Sequence, residues 1–179
     1  MASVTAAFAV WITGRPASGK STITAALEAA LAGRDIDVEV LESDALRRII
    51  TPRPTYTDTE RDIFYAAMAV MGELLVKHGV AVIFDATAHR RAWRDRARQN
   101  INRFAETFVD CAEEVCVARD PKGIYHRARE GLATSVPGVQ VPYEPPVRPD
   151  VTVRGDRTGP DDAAQRITDW LIARGWIPG

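Results

Sequence analysis

Apolar positions along this chain follow two alternating rhythms. Short runs of consecutive apolar residues, the mark of strands covered on both faces, are separated by stretches where apolar residues recur every three or four positions, the mark of amphipathic helices. The first run, Phe8–Thr13, precedes a helix expected over Lys20–Ala32, with Ile23, Leu27, Ala30 and Leu31 on one face and Gly33 ending it. Val38–Leu41 predicts a second strand, leading into Glu42-Ser43-Asp44. There Ser43 or Asp44 caps a short helix through Ile50, before Pro52 and Pro54 break the chain. A long helix is expected over Asp58–Lys77, because Ile63, Phe64, Ala67, Met68, Met71, Leu74 and Leu75 keep helical spacing and Gly79 follows. Val80–Phe84 predicts a third strand running into Asp85, and Arg90–Arg103 a charged, mostly exposed helix. Glu106–Val109 reads as a fourth strand, Ala112–Ala118 as a short helix and Val151–Val153 as the last strand. Asp161–Ala173 reads as a closing helix with Ala164, Ile167, Trp170 and Leu171 inward. The alternation predicts an α/β fold: three layers, α/β/α, around a mainly parallel five-stranded sheet.

From Arg119 to Pro149 the rhythm loosens, with glycines, prolines and basic residues interspersed. An irregular stretch of this length in a compact domain is usually functional, and a lid over residues 119–149 is expected. The 179 residues otherwise suit a single domain with a sizeable core. With 23 basic against 24 acidic residues, the chain lacks the basic footprint of nucleic-acid binding. No apolar run approaches the roughly 20 residues that span a membrane. Cys111 and Cys116 are the only cysteines and no secretory signal precedes them, so a cytoplasmic location with two small buried thiols is expected.

Chemistry enters directly after the first strand. Gly14-Arg15-Pro16-Ala17-Ser18-Gly19-Lys20-Ser21 fits G-x-x-x-x-G-K-[ST], a phosphate-binding loop, and Thr22 continues it into the helix. Two glycines let the backbone wrap with its N–H groups inward, Lys20 adds a charge on the phosphates, and Ser21 offers a hydroxyl to Mg²⁺. The loop therefore predicts a bound nucleoside triphosphate, ATP with Mg²⁺.

In open parallel sheets, ligands sit beyond the carboxyl ends of the strands. Glu42, Asp44, Asp85 and Thr87 fall there, with the cations of the lid. Asp44 is expected to orient or deprotonate an attacking hydroxyl, from a strand expected beside the phosphate loop; capping a helix is its other reading. Glu42 either holds Mg²⁺ through water or ends its strand. Asp85 supports the metal or caps the next helix. Arg47 and Arg61 are placed to reach an anionic acceptor, against the plainer reading of solvated helix faces. His78 suits a helix end, and His89 and His126 are weaker pointers to ligand.

These residues resemble the adenylylsulfate kinase family. Trp11-Ile12-Thr13-Gly14 through Lys20-Ser21-Thr22 is similar to its W-x-T-G-x-x-x-x-G-K-S-T, and Leu41-Glu42-Ser43-Asp44-Ala45-Leu46-Arg47 to its L-D-G-D-N-V-R. The most specific likeness is Ala118-Arg119-Asp120-Pro121-Lys122-Gly123-Ile124-Tyr125, beside an R-D-P-K-G-L-Y stretch, followed by Arg129-Glu130-Gly131 and Pro142-Tyr143-Glu144-Pro145-Pro146. The resemblance implies an ATP-dependent kinase acting on the 3′-hydroxyl of adenosine 5′-phosphosulfate (APS), with Lys20, Asp44 and Arg47 catalytic. It puts Arg119 and Lys122 at the lid and the ATP adenine pocket. Around the metal the expected residues are Ser21, Asp44 and Asp85, the last from its place at a strand end, since adenylylsulfate kinases usually lack that acid. The acceptor is implied against Glu42, Asp44, Arg47, Tyr56, Arg61, Phe64, Arg91, Lys122 and Val136.

The sequence departs from the family on the acceptor side. In the F-S-x-x-D-R-x-E-N segment, here Tyr56 to Phe64, Arg61 is kept but Phe64 stands where Asn contacts the sulfonucleotide. Val136-Pro137-Gly138-Val139 replaces F-T-G-I, whose aromatic stacks on the substrate adenine. Thr87-Ala88-His89-Arg90-Arg91 keeps only the arginine of I-S-P-[YF]-R. Val82-Ile83-Phe84-Asp85-Ala86-Thr87 is also similar to the D-A-T element of small kinases related to polynucleotide 5′-kinases. A kinase of another small hydroxyl compound, such as a sugar or nucleoside, is therefore the alternative. A polynucleotide 5′-kinase is disfavoured by charge, and a non-catalytic nucleotide switch by the presence of Lys20 and Asp44. Trp176 and Ile177, if exposed, would suit a homodimer contact.

Overall fold

In the computed structural model, which describes residues 7–133 and 135–179, strands and helices alternate as β1 (Ala9–Thr13), α1 (Lys20–Ala32), β2 (Val38–Glu42), α2 (Ser43–Ile50), α3 (Asp58–Lys77) and β3 (Ala81–Asp85). They continue as α4 (Arg91–Asn100), β4 (Phe104–Asp110), α5 (Glu113–Arg119), α6 (Ile124–Arg129), β5 (Val151–Arg154) and α7 (Pro160–Ala173). The five strands form one sheet in the order β2-β3-β1-β4-β5. Every pairing is parallel, with Trp11 opposite Phe84 on one side and Glu106 on the other.

Strand alternation sorts the core into two layers. Val10, Ile12, Ile83 and Ala105 face α1 and α7, where they meet Leu27, Leu31, Ile167 and Leu171. Ala9, Trp11, Val82 and Phe84 face α3 and α4, where they meet Phe64, Met68, Trp93 and Ala97. Trp11 stacks on Phe84 at 4.4 Å between ring centres and donates its indole N–H to Ala86 O at 3.1 Å. The helix α3 starts where Thr57 accepts from Glu60 N, a T-x-x-E box whose Glu side chain reaches back to Thr55 N and Tyr56 N.

Three expectations need correction. The strand β2 pairs with β3, so Asp44 reaches the phosphate loop from one strand further out than expected. The fully buried β3 takes the place beside β1, while β2, only half-covered, suits an edge. The helix α4 is shorter than expected and not mostly exposed, because Trp93, Arg94 and Ala97 are buried. Trp176 and Ile177 are no surface patch: Ile177 is buried, and Trp176 packs on Phe8 and, edge-on, on Trp170. Within 119–149 the chain forms α6, with Tyr125 and Ala128 buried, and a turn closed by Pro137 and Val141. Thr134 lies outside the described residues. No described helix is long and apolar enough to cross a membrane.

Candidate active site

The loop between β1 and α1 is built for an anion. Gly19, at φ 102°, opens α1 with no side-chain cap, and the first helical turn carries no acid. Its N–H groups and the positive end of the helix dipole are left for a ligand. The Ser18 hydroxyl is buried and makes no hydrogen bond within the protein. A Cβ on Gly14 would come within 2.7 Å of both Ser18 Oγ and Val109 O, so only glycine closes the loop here. Lys20 Nζ donates to Gly14 O at 3.1 Å and to Arg15 O at 2.8 Å. Burial lowers the ammonium's pKa from its ordinary value, and the charge of Asp85 is the largest influence opposing that. Tyr125 braces the loop from behind, donating to Pro16 O at 3.0 Å.

A cleft of about 890 Å³ opens in front of this loop. Pro16 to Thr22 form its floor, with Glu42, Asp44 and Asp85 from the ends of β2 and β3. Asp85 is buried, whereas Asp44 is half-exposed and pairs with Lys122 at 2.5 Å. That contact raises the Lys122 pKa. Arg119 turns across the cleft to donate to Gly155 O at 2.8 Å. A Cβ on Gly155 would overlap the Ser18 carbonyl oxygen, so this glycine lets β5 end against the phosphate loop.

The opposite wall carries two buried arginines. Arg47, from α2, is 8 % exposed and Arg61, from α3, is 5 % exposed. Arg61 donates to Ser135 O at 2.6 Å and Oγ at 3.1 Å, and its Nη1 lies 3.5 Å from His89 Nε2. Tyr56, held at φ 54°, lies over both guanidinium groups, 5.4 and 5.6 Å from its ring centre. Val136 and Tyr56 both line this end.

Two acceptor-side residues expected from the sequence do not line the cleft. Phe64 is fully buried beneath Arg47, one helical turn from Arg61 on the core-facing side of α3. Arg91 turns away because its backbone N–H donates to Glu144 Oε2 at 2.8 Å and its Nε faces the same oxygen at 3.7 Å. Arg15 also points out, toward Glu113 and Gly138. Conversely, Ser135 and Gly155 shape the site without having stood out in the sequence, and Thr13 and Tyr143 do so though only the family resemblance had marked their positions. Thr13 Oγ1 donates to Thr87 O at 2.7 Å and meets the Tyr143 hydroxyl at 3.0 Å, tying the phosphate loop to the acceptor wall.

A phosphate loop at the end of a central parallel strand, faced by strand-end acids and a cationic wall, defines a P-loop kinase. A family model for adenylylsulphate kinase matches residues 6–154, and the chain belongs to that family. It is 37 % identical over 168 residues to an adenylyl-sulfate kinase of Microcystis aeruginosa, covering 94 % of this chain and 93 % of that one. It is equally 37 % identical over 168 residues to that of Gloeothece citriformis, covering 94 % and 96 %. The fold matches the APS kinase of Mycobacterium tuberculosis, solved with AMPPNP and APS, at a TM-score of 0.85 and 30 % identity over 93 % of this chain and 98 % of that one.

Proposed function

We propose that the protein transfers the γ-phosphoryl group of ATP to the 3′-hydroxyl of APS, giving ADP and 3′-phosphoadenylylsulfate. The observation that carries this reading is a single cleft with a phosphate loop on one side and two buried guanidinium groups on the other. APS offers a hydroxyl to the first and a phosphosulfate anion to the second.

The loop fits a nucleotide triphosphate: the orphan Ser18 hydroxyl, the uncapped start of α1 and the Gly14 close approach are features that phosphate oxygens complete. Among the described residues no cluster of three acids, histidines or cysteines forms a metal cage by itself. The residues that would hold Mg²⁺ with a bound nucleotide are Ser21, Asp85 and Asp44, hydroxyl and carboxylate oxygens that suit a hard cation. Bound there, Mg²⁺ supplies neutralisation of charge on the transferring group.

The chain's own residues do the rest. Lys20 moves from its carbonyl partners to the phosphate oxygens. Asp44 accepts the proton of the acceptor hydroxyl as its oxygen bonds to the γ-phosphorus and the bond to the β-phosphate oxygen breaks. Lys122 sits on Asp44 and holds its carboxylate at the mouth of the phosphate loop. Arg47 and Arg61 hold the acceptor anion, and Tyr56 gives its base a face. The segment 119–149 closes over both substrates.

The test is ADP release by the purified protein with ATP and APS, against ATP with a panel of sugars and nucleosides. The expected result is APS-dependent turnover. ADP release no higher with APS than with ATP alone, together with turnover of a neutral acceptor, would replace this reading by the small-metabolite kinase.

A further inference from the structure

The two guanidinium groups of the acceptor wall are held by uncharged rings, Arg47 from beneath and Arg61 at its edge. Arg47 Cζ lies 3.9 Å from the ring centre of Phe64, with Tyr65 at 5.5 Å. Its Nη1 is buried and makes no hydrogen bond. Glu60 Oε1 is 3.5 Å from that nitrogen, but this carboxylate is already committed to Thr55 N and Oγ1, each at 2.7 Å, and to Tyr56 N at 3.2 Å. The hydrogen bonds of Arg61 go to uncharged acceptors, the two Ser135 oxygens and His89 Nε2.

A chain of ring contacts runs from beneath Arg47 to the imidazole beside Arg61. Phe64 meets Tyr65 edge-on at 5.3 Å, Tyr65 stacks on Trp93 at 4.5 Å and 25°, and Trp93 meets His89 edge-on at 4.9 Å. Trp93 is pinned from outside, donating Nε1–H to Asp62 Oδ1 at 2.8 Å. The path Arg47–Phe64–Tyr65–Trp93–His89–Arg61 therefore joins α2, α3, α4 and the loop after β3. Phe64 and His89, its two ends, are positions where the sequence departs from the adenylylsulfate kinase pattern.

We propose that Phe64 and His89 are positioning residues that fix the Arg47 and Arg61 guanidinium groups through uncharged rings, setting the acceptor pocket's specificity for an anion. A carboxylate would hold an arginine as firmly, but it would also compete with the acceptor's own negative charge. A π face and an imidazole lone pair orient the cation without adding negative charge, so that Glu60, 3.5 Å from Arg47 Nη1, is the one carboxylate paired with either guanidinium group among the described residues. His89 suits this task because burial, reinforced by Arg61 and Arg90, lowers its pKa to about 4 and keeps it neutral near pH 7. This inference rests on the reading of an anionic acceptor, APS.

Steady-state kinetics with APS at saturating ATP, and with ATP at saturating APS, test it on Phe64→Leu, His89→Asp and His89→Asn. Losing a desolvated cation–π contact is expected to raise the APS KM about tenfold in Phe64→Leu, with the ATP KM within about twofold of wild type. His89→Asp, which turns a neutral acceptor into an ion-pair partner for Arg61, is expected to raise the APS KM by at least as much. His89→Asn keeps a neutral acceptor and is expected to raise it several-fold less. If Phe64→Leu does not fold, the contrast between the two His89 variants decides. Unchanged APS KM in Phe64→Leu and His89→Asp, with lowered melting temperature alone, reduces the rings to core packing and overturns the proposal. A wild type inactive on APS overturns the acceptor reading, and this inference with it; an active wild type with unaffected variants overturns this inference alone.

Discussion

Replacing Arg94 by Met perturbs the wall behind the cleft at one buried charge. Arg94 is fully buried; its Nε donates to Glu106 Oε1 at 2.6 Å, its Nη2 to Glu144 O at 2.7 Å, and its Nη1 to Ala88 O. Methionine fills much of the same volume, so the cavity contribution is small. The Glu106 carboxylate, 5 % exposed, is left with Arg98 Nη2 at 3.6 Å as its remaining cation. Breaking a buried pair by removing one partner costs about 3–5 kcal/mol. Two carbonyls that lose their donors add to this, and Arg98 offsets part, so about 4 kcal/mol is expected. In a domain of this size that lowers the melting temperature by roughly 8–16 °C. Urea unfolding followed by circular dichroism measures the loss. Arg94→Met/Glu106→Met removes the stranded charge and is expected to recover more than half of the stability. Ala88 O and Glu144 O still lack their donor there, so the double variant should remain less stable than wild type. A loss below about 1 kcal/mol in Arg94→Met, or a double variant no more stable than the single one, would refute the argument that an ionised Glu106 is buried at this point.

Three further outcomes are expected. Asp44→Asn should abolish phosphoryl transfer while ATP binding, followed by calorimetry, stays near wild type; wild-type-like turnover would remove Asp44 as the base. Gly155→Ala pushes a methyl group against Ser18 O and to 2.9 Å from Val109 Cγ1, so ATP affinity should fall at least about tenfold, and unchanged affinity would show that the loop yields there. The pKa of His89 in the folded state is about 4, below its ordinary 6.5, so the unfolded chain takes the proton first as pH falls. The stability from its neutral ring is present above about pH 6.5 and is lost toward pH 4, about 3 kcal/mol in all. His89→Gln should lose less stability than wild type between pH 7 and pH 4, and parallel losses in urea melts would count against this.

Periodicity carried the elements well wherever one surface of each faced the core. The spacing of Ile23, Leu27 and Leu31 placed α1, and the stripe from Phe64 to Leu75 placed α3, because helical burial repeats with the helix itself. The phosphate loop was legible because its chemistry is local in sequence. Sheet order was not: nothing within β2 says that β3 will stand between it and β1. The same limit explains Arg94, whose partner Glu106 lies on the next strand, so a charged helix looked exposed until the fold brought the two together. Phe64 illustrates the limit at the site. Family resemblance put position 64 at the acceptor, but a phenylalanine has no polar reason to face a cleft, and it serves Arg47 from below. Gly155 and Ser135 act through backbone proximity across long stretches of chain, which no local pattern records.

The sheet order also sets a schedule for the growing chain. The strand β1 finds its neighbours only when Val82 and then Phe104 arrive, so the phosphate loop has no fixed base until most of β4 has been made. The α3–α4 side can close at that stage. The other side waits for α7, whose Ile167 and Leu171 cover Leu27 and Leu31 of α1. At roughly 5–20 residues per second, the chain between β4 and the end of α7 takes about 3–12 s to synthesise. During that interval the oily side of the phosphate-loop helix faces the crowded translation milieu. Slow codons or a truncation before α7 would lengthen that exposure, which makes the C-terminal helix the step at which a nascent chain is committed to solubility or to chaperone capture.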